Sequence, residues 1–211
     1  MSGAGNFTTG TNPDAGGVVV PADSDIQTAA DLAGHTIAVN TLNNIGDITV
    51  REAVEKAGGD PSSINFVEMG FPDMPAAVTG GQVDAAWVVE PHLTRVIEAG
   101  ARVVSWNWAE TDPNLIISTY FTSQQYAEAN PEIVASFKAA LDKALTHAAE
   151  NPEAAKDILD NYTDIDATIK EKMTMPKFTP EVSAADIQLH ADLALKYGLV
   201  KEPVDISVLV P

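Results

Sequence analysis

The chain contains no cysteine among its 211 residues. This absence excludes disulfide bonds, thiolate metal sites and cysteine nucleophiles together. Basic residues are also scarce, because 12 lysine and arginine side chains stand against 30 aspartates and glutamates, which gives a formal charge of −18. A protein that binds nucleic acid needs a basic stripe for the phosphate backbone, so we predict no nucleic-acid partner. The same charge argues against an anionic membrane surface.

Long hydrophobic runs are lacking as well. The apolar runs, such as Ala85–Val89, are too short to span a bilayer. The first five residues, Met-Ser-Gly-Ala-Gly, have neither the basic nor the apolar region of a signal peptide, so we identify none in this chain. The histidines are scattered without the spacing of metal ligands, and we predict neither a metal site nor a cofactor. No nucleophile elbow, phosphate loop or dinucleotide fingerprint is present, so no catalytic residue is predicted.

What the sequence does have is an alternation of apolar strands and amphipathic helices. Strands without polar alternation are buried on both faces, which is typical of a parallel, doubly wound α/β sheet. Pairs of glycines and single prolines separate the segments and keep the connections short. The predicted strands cover residues 36–40, 64–69, 83–89 and 101–106, and the predicted helices cover 47–57, 73–79 and a segment beginning at Glu90-Pro91.

The flanking parts of the chain have a different character. Residues 2–17 are rich in Gly, Asn, Thr and Pro and are predicted to be a loop, and Val18–Val20 resembles the end of a strand. Residues 115–122 are predicted to form a strand. The rest is predicted to be mostly helical, beginning with the capping sequence Asn130-Pro131-Glu132. The helix behind this cap carries an apolar stripe of Ile133, Phe137, Leu141, Ala144, Leu145 and Ala148.

Ligands of open parallel sheets bind beyond the carboxyl ends of the strands. This rule selects the loops at residues 40–46, 70–74 and 90–92. Short hydrogen-bonding side chains fill the first loop, and free N–H groups at the start of the next helix could hold an anion. The alternative is that these asparagines and glycines serve only as turn and cap residues. The candidate ligand-binding residues are Asn40, Thr41, Leu42, Asn43, Asn44, Phe71, Asp73, Met74, Trp87 and Glu90.

The charge of these loops restricts the ligand. None of them contains lysine or arginine, and Asp73 and Glu90 are acidic. A multiply charged anion would be poorly accommodated, so we expect a neutral, zwitterionic or singly charged solute. Trp87 and Phe71 would form an apolar wall of the pocket, or they belong to an ordinary hydrophobic core.

Several segments resemble one family. Residues 31–40, Asp-Leu-Ala-Gly-His-Thr-Ile-Ala-Val-Asn, and residues 81–91, Gly-Gln-Val-Asp-Ala-Ala-Trp-Val-Val-Glu-Pro, resemble motifs of the NMT1/THI5-like substrate-binding proteins of ABC importers, the sulfonate/nitrate/taurine type. Asn130-Pro131-Glu132 and Tyr197-Gly198-Leu199 resemble the C-terminal helices of that family. The resemblance covers residues 18–210. It implies the type II periplasmic-binding-protein fold, with a ligand cleft between two lobes.

The resemblance also implies a division of the chain. Residues 33–107 would form the second lobe, which carries the ligand loops. Residues 1–32 would be a lead-in and part of the first lobe, and residues 108–211 would return to that lobe as a partial, helix-rich structure. The hinges would lie near residues 20–29 and 108–117, and the return would bring Tyr120 near the cleft.

The implied function is capture of a small organic or oxyanionic solute, such as a sulfonate, nitrate, taurine or a pyrimidine precursor, for delivery to ABC permease subunits. The natural full-length form would be periplasmic, or extracellular and lipid-anchored. Members of the family usually carry further βα units before the point where this chain begins. Strands near Val18 and Ile116 would then lack neighbours and expose open edges, which an intertwined homodimer would cover.

Three alternatives remain open at this point. One is an enzyme similar to the thiamine-pyrimidine synthases, but those enzymes use a cysteine-rich segment, and the absence of cysteine favours a protein that is not an enzyme. Another is a ligand-sensing domain without a role in transport. The third is a fragment that binds no ligand.

Overall fold

The computed structural model describes residues 5–209, without the side chain of Val208. The predicted loop over residues 2–17 therefore begins outside the described residues. The strands are β1 (Gly5–Phe7), β2 (Gly16–Val20), β3 (Thr36–Val39), β4 (Asn65–Glu68), β5 (Ala85–Val89), β6 (Arg102–Ser105), β7 (Ile116–Thr119) and β8 (Lys177–Thr179). The α-helices are α1 (Ile45–Lys56), α2 (Met74–Thr79), α3 (His92–Glu98), α4 (Asn107–Thr111), α5 (Gln124–Ala129), α6 (Pro131–Glu150), α7 (Pro152–Asp157), α8 (Ala167–Lys172) and α9 (Ala184–Lys196).

The chain divides into two compact units. The sheet unit comprises residues 8–113 and 164–175, and the helical unit comprises the described residues of the segments 1–7, 114–163 and 176–211. These boundaries differ from the predicted ones, which placed residues 8–32 with the first lobe and a hinge at residues 20–29. The reason is that β2 pairs inside the sheet of residues 36–105.

The sheet unit contains a five-stranded sheet in the order β4-β3-β5-β2-β6. The predicted parallel arrangement is confirmed for β3 with both β4 and β5. It is wrong for the position beside β5, where β2 runs antiparallel to both β5 and β6. Val18 therefore has neighbours on both sides, and the expected open edge does not exist there. All five residues of β2 are buried, as the apolar sequence Gly-Gly-Val-Val-Val requires.

Each face of this sheet is covered by helices. On one face, Val19, Ala38 and Val88 pack with Met74 of α2 and Leu93 of α3. Side chains alternate along a strand, so Trp87 lies on the opposite face, where α1 begins. Full burial of a Val or Leu side chain stabilises a fold by about 1.5–3 kcal/mol, which makes this two-sided core the main source of stability in the unit.

The helical unit contains a three-stranded antiparallel sheet in the order β7-β1-β8. The predicted strand over residues 115–122 is confirmed by β7, although it is shorter. Ile116 pairs with Phe7 of β1, so β7 has a neighbour on one side and forms one border of the sheet. Neither β1 nor β8 was predicted, because three-residue strands leave almost no periodic pattern.

The longest described helix is α6, which has 20 residues. Of these only Leu145 is buried, whereas Ile133 and Phe137 of the predicted apolar stripe are 56% and 53% exposed. Among residues 5–209, no helix combines the length and the apolar character needed to cross a membrane.

Candidate functional site

The carboxyl ends of β3, β4 and β5 lie at one edge of the sheet because these strands are parallel. The three predicted loops therefore share this border, which we call the carboxyl edge. Two further segments reach it. Residues 8–15 lead into the antiparallel β2, and the Ala15 carbonyl accepts a hydrogen bond from the Glu90 N–H at 3.0 Å. Residues 106–108 follow β6, which runs in the same direction as β5.

Sequence reasoning missed these two segments for different reasons. Residues 106–108 follow the predicted strand over residues 101–106, but residues 108–117 were assigned to a hinge. Residues 8–15 were missed because of the direction of β2. The start of a strand lies at the carboxyl edge only if the strand is antiparallel to its neighbours, and β2 was not placed in the sheet. The available signal was the Gly16–Val20 run itself, which is apolar on both faces and therefore typical of a central strand.

An aromatic cluster lies at the carboxyl edge. The ring centroids of Phe71 and Trp87 are 5.7 Å apart, and those of Trp87 and Trp108 are also 5.7 Å apart, with the last two rings edge to face at 69°. His92 stacks on Phe71 at 6.1 Å with an interplanar angle of 17°. Burial lowers the pKa of His92, and the nearby Arg95 charge lowers it further. The imidazole is therefore neutral near pH 7 and acts as a flat polar surface beside Phe71.

Two glycines leave the space that the indole rings occupy. A Cβ at Gly46, in the first turn of α1, would lie 2.6 Å from the Trp87 ring. A Cβ at Gly16, at the start of β2, would lie 2.7 Å from the Trp108 ring. Real Cβ atoms do not approach so closely, so each indole packs directly on backbone.

Several N–H groups at and just before the start of α1 already have partners within the chain, so this segment offers fewer free N–H groups than the sequence analysis expected. The Asp47 carboxylate accepts hydrogen bonds from the N–H groups of Asn43 and Asn44, both at 2.8 Å. The Asn44 side chain accepts from the Ile45 N–H at 2.6 Å, which completes a capping box. The Leu42 N–H donates to the Glu68 carboxylate at 3.2 Å. Carboxylates of the protein itself therefore accept hydrogen bonds from the N–H groups of the loop before α1.

Glu90 is engaged within the sheet unit. Its carboxylate accepts hydrogen bonds from the Thr94 N–H at 3.1 Å and the Thr94 hydroxyl at 2.8 Å. The Thr174 N–H donates to the same carboxylate at 3.2 Å. The geometry favours a structural role, in which Glu90 caps α3 and connects it to the segment before β8. Met74 is completely buried in the core, which also favours packing over ligand contact.

Four buried polar atoms at the carboxyl edge have no hydrogen-bond partner among the described residues. They are the Oδ1 atoms of Asn40 and Asn107 and the Nε1 atoms of Trp87 and Trp108. An indole nitrogen can only donate, whereas an amide oxygen accepts. The site can therefore both donate hydrogen bonds to a bound molecule and accept one from it. In the described part of the chain, no three histidines or carboxylates are grouped so that they could hold a metal ion.

Most of the other predicted ligand-binding residues are exposed to solvent. Thr41, Leu42, Asn43, Asn44 and Asp73 are exposed at the carboxyl edge. Asn43 has a φ of 57°, a left-handed conformation that asparagine tolerates better than most residues.

Tyr120 is the one predicted residue that belongs to the helical unit. It is 48% exposed, and its ring centroid lies 6.1 Å from that of Phe137. Both residues line a mostly apolar cavity of about 230 Å³ in that unit. The remaining lining residues are Phe121, Thr122, Tyr126, Ile133 and Val134.

The five-stranded mixed sheet with its loop-lined carboxyl edge has counterparts among solved structures. The periplasmic aliphatic sulphonate binding protein SsuA from Escherichia coli is similar at a TM-score of 0.73 and 25% identity, over 97% of this chain and 67% of that one. A ligand-binding component of an ABC-type import system from Staphylococcus aureus has a TM-score of 0.81 at 11% identity, over 100% of this chain and 71% of that one. The predicted fold is thus confirmed as the type II fold of periplasmic binding proteins.

The sequence places the chain more narrowly. Residues 7–155 match the family model described as NMT1/THI5 like. The chain belongs to the NMT1/THI5-like family, as its motifs predicted.

Curated relatives agree with this family. A putative aliphatic sulfonates-binding protein of Escherichia coli is 27% identical over 202 residues, which are 92% of this chain and 62% of the relative. A formylaminopyrimidine-binding protein of Halalkalibacterium halodurans is 26% identical over 151 residues, which are 67% of this chain and 43% of the relative. The chain thus spans less than two thirds of the length of these relatives. The desulfurization enzyme DSZB shares the fold at a TM-score of 0.69 and 16% identity, with 100% of this chain and 76% of that chain covered.

Proposed function

We propose that this chain is the ligand-binding part of a solute-binding protein that serves an ABC importer. The observation that carries the proposal is the aromatic cluster of Phe71, Trp87 and Trp108 at the carboxyl edge, with buried polar atoms beside it. Ligand sites combine an apolar wall with a few placed polar groups, and this edge has both. The names of the relatives, which describe sulfonate and formylaminopyrimidine binding, support the same function.

The charge of the carboxyl edge favours one kind of solute. The loops at residues 40–46, 70–74 and 90–92 contain no lysine or arginine. Glu68 and Asp73 add negative charge, and Asp47 already accepts from the Asn43 and Asn44 N–H groups before α1. A dianion would meet repulsion without compensation. A singly charged anion would also lack a lysine or arginine of these loops to balance it, so a taurine-like zwitterion or a neutral pyrimidine precursor fits these residues better than nitrate or a simple sulfonate.

The proposal includes partners and location. A solute-binding protein of this kind delivers its ligand to permease subunits, and a relative from Brachyspira hyodysenteriae is named as an ABC transporter periplasmic binding protein. We place the natural protein in the periplasm, or outside the cell on a lipid anchor. An intertwined homodimer belongs to the same proposal, because it would cover the exposed Ile133 and Phe137 of α6.

Binding without catalysis is favoured over an enzymatic role. The chain has no cysteine, and Glu90 is held by hydrogen bonds from Thr94 and Thr174 within the sheet unit. A carboxylate in such a position is poorly available as a general base. A sensor that binds the same solute would use the same residues, and only interaction with a permease separates the two roles.

A binding screen tests the proposal. Thermal unfolding would be followed with taurine, aminopyrimidines, alkanesulfonates, nitrate and sulfate, because a ligand of the folded state raises stability by RT ln(1 + [L]/Kd). We expect a shift with zwitterionic or neutral compounds and none with sulfate. Trp87→Ala should abolish the shift, whereas Gln82→Ala, in the exposed turn before β5, should retain it. Binding to wild type and Trp87→Ala with equal affinity would place the ligand elsewhere, and tight binding of sulfate would contradict the charge argument.

A further inference from the structure

Trp87 and Trp108 are buried donors that the protein does not use. They are 3% and 5% exposed, and neither Nε1 atom has a hydrogen-bond partner among the described residues. A buried tryptophan normally finds an acceptor for its N–H group. Leaving such a group unsatisfied costs about 1–3 kcal/mol. Two such groups in one aromatic cluster require an explanation.

The backbone is shaped to hold both rings where they are. Gly46 and Gly16 come from different segments, and each packs directly on one indole. Any side chain at either position would displace the ring beside it. The two tryptophans are therefore fixed by the fold, and their N–H groups cannot turn freely towards other acceptors.

The carboxylates of the carboxyl edge are committed to other donors. Asp14 is fully buried and accepts from the Thr8 hydroxyl, from the Thr9 N–H at 3.0 Å and from the Ala15 N–H at 2.7 Å. Glu90 accepts from Thr94 and Thr174, as described above. The edge has thus satisfied its buried acids while it leaves two neutral donors unused.

Asn40 supplies the complementary group. It directly follows β3, which pairs with β5 beside Trp87, and its Oδ1 atom is buried without a partner among the described residues. This amide oxygen can accept a hydrogen bond from a donor of a bound molecule. The carboxyl edge therefore presents unused acceptors as well as unused donors.

We propose that Trp87 and Trp108 donate their indole N–H groups to acceptor atoms of the solute, while Asn40 accepts a hydrogen bond from the same molecule. The pair of tryptophans thus determines specificity. The site selects solutes that carry acceptor and donor groups together without net charge, such as amino-substituted heteroaromatic rings or zwitterionic amino acids and aminosulfonates. This inference rests on the proposed solute-binding function and defines the recognition chemistry of the same site.

The decisive test removes the indole N–H groups without changing the shape of the rings. Each tryptophan is replaced in turn by 3-benzothienylalanine, in which sulfur stands where the N–H group was, and calorimetry measures affinity for an aminopyrimidine and for taurine. We expect the Kd of the better ligand to rise about tenfold at each position, which corresponds to roughly 1.4 kcal/mol. The same replacement at Trp106, which is only partly buried and packs on the other face of the sheet, is the matched control and should leave the Kd unchanged.

A second comparison tests the acceptor. Wild type should bind 2-aminopyrimidine more tightly than pyrimidine and taurine more tightly than ethanesulfonate, and Asn40→Leu should remove this preference. If the solutes bind the wild type but the benzothienyl variants at 87 and 108 bind equally well, the role of the indole donors is wrong and the solute-binding function stands. If no compound of either pair binds the wild type in calorimetry or in the thermal screen, both the proposed solute-binding function and the proposed role of the indole donors are wrong.

Discussion

Gly46 lies against the indole ring of Trp87, so close that a Cβ at position 46 would be 2.6 Å from the ring. The contact joins the first turn of α1 to the middle of the sheet. It also fixes the one tryptophan that both the sequence and the structure place at the carboxyl edge.

Gly46→Ala should destabilise the protein, because the added methyl group must displace the Trp87 ring or the helix. Overpacking of this kind typically costs about 1–3 kcal/mol, which outweighs the gain in helix propensity from alanine. Urea unfolding followed by tryptophan fluorescence measures the change. Gly70→Ala is the matched control, since a Cβ there meets nothing closer than 3.6 Å. An alanine at 46 that leaves the free energy of unfolding unchanged would refute the close packing.

Asp47→Asn should weaken the start of α1. The carboxylate accepts from two backbone N–H groups, and a carboxamide offers only one acceptor atom in its place. We expect a loss of about 1 kcal/mol in unfolding free energy, as for other N-terminal caps. Asp25→Asn, at an exposed position in the loop after β2, is the control and should be neutral. Equal stability of the two variants would contradict the capping role.

Glu90→Gln should loosen the contact between α3 and the segment at residues 164–175. The Thr94 and Thr174 N–H groups donate to the Glu90 carboxylate, and a neutral amide is a weaker acceptor than a carboxylate. Hydrogen–deuterium exchange should show faster exchange at these two amides, with α1 unchanged as the internal control. Unaltered exchange combined with lost solute binding would instead assign Glu90 to the ligand.

The helical unit should become less stable as the pH falls below 6.5. Burial lowers the pKa of His190, opposed by its hydrogen bond to the Ile116 carbonyl at 2.6 Å and by the nearby Asp186. The unfolded chain therefore binds a proton at a higher pH than the folded chain. The contribution of neutral His190 is complete above its ordinary pKa of 6.5 and is lost as the pH falls towards the lowered folded value.

His190→Gln isolates this effect, because glutamine keeps a donor for the Ile116 carbonyl but does not titrate. The stability of the wild type relative to the variant should decrease between pH 7.5 and pH 5.5, as measured by urea unfolding at each pH. His147→Gln, at an exposed position on α6, serves as the control and should show no such trend. A constant difference between wild type and His190→Gln across this range would exclude the predicted linkage.

Local patterns in the sequence predicted the parts of the fold that depend on neighbouring residues. The apolar runs at β3, β4 and β5 and the glycines between them predicted the parallel strands and their loops. The insertion of β2 depends instead on pairing with Trp87 and Val103, which lie more than sixty residues away. No local pattern carries that information, so the antiparallel strand was missed.

The residues of the candidate site likewise fall into those that local sequence patterns predicted and those that depend on long-range pairing. Phe71 and Trp87 were predicted because they adjoin strand ends, and the structure brings their rings together. Trp108 was missed because its approach to Trp87 depends on β2 and on Gly16. The occupied N–H groups at α1 were predictable in principle, since Asn44 and Asp47 have the spacing of a capping box.

The position of β2 also affects the order in which the sheet can form. Residues 36–89 supply β3, β4 and β5 from one continuous stretch, so these strands can associate through the two helices, α1 and α2, that connect them. Among the described strands, β2 alone pairs with β6, so β6 joins the sheet only after residues 16–20 have returned from the start of the chain. Such long-range closure slows folding because the loop entropy is lost before the contacts form. We therefore expect the joint docking of β2 and β6 to be a late step in folding of the sheet unit, and this step also brings Trp108 to Trp87.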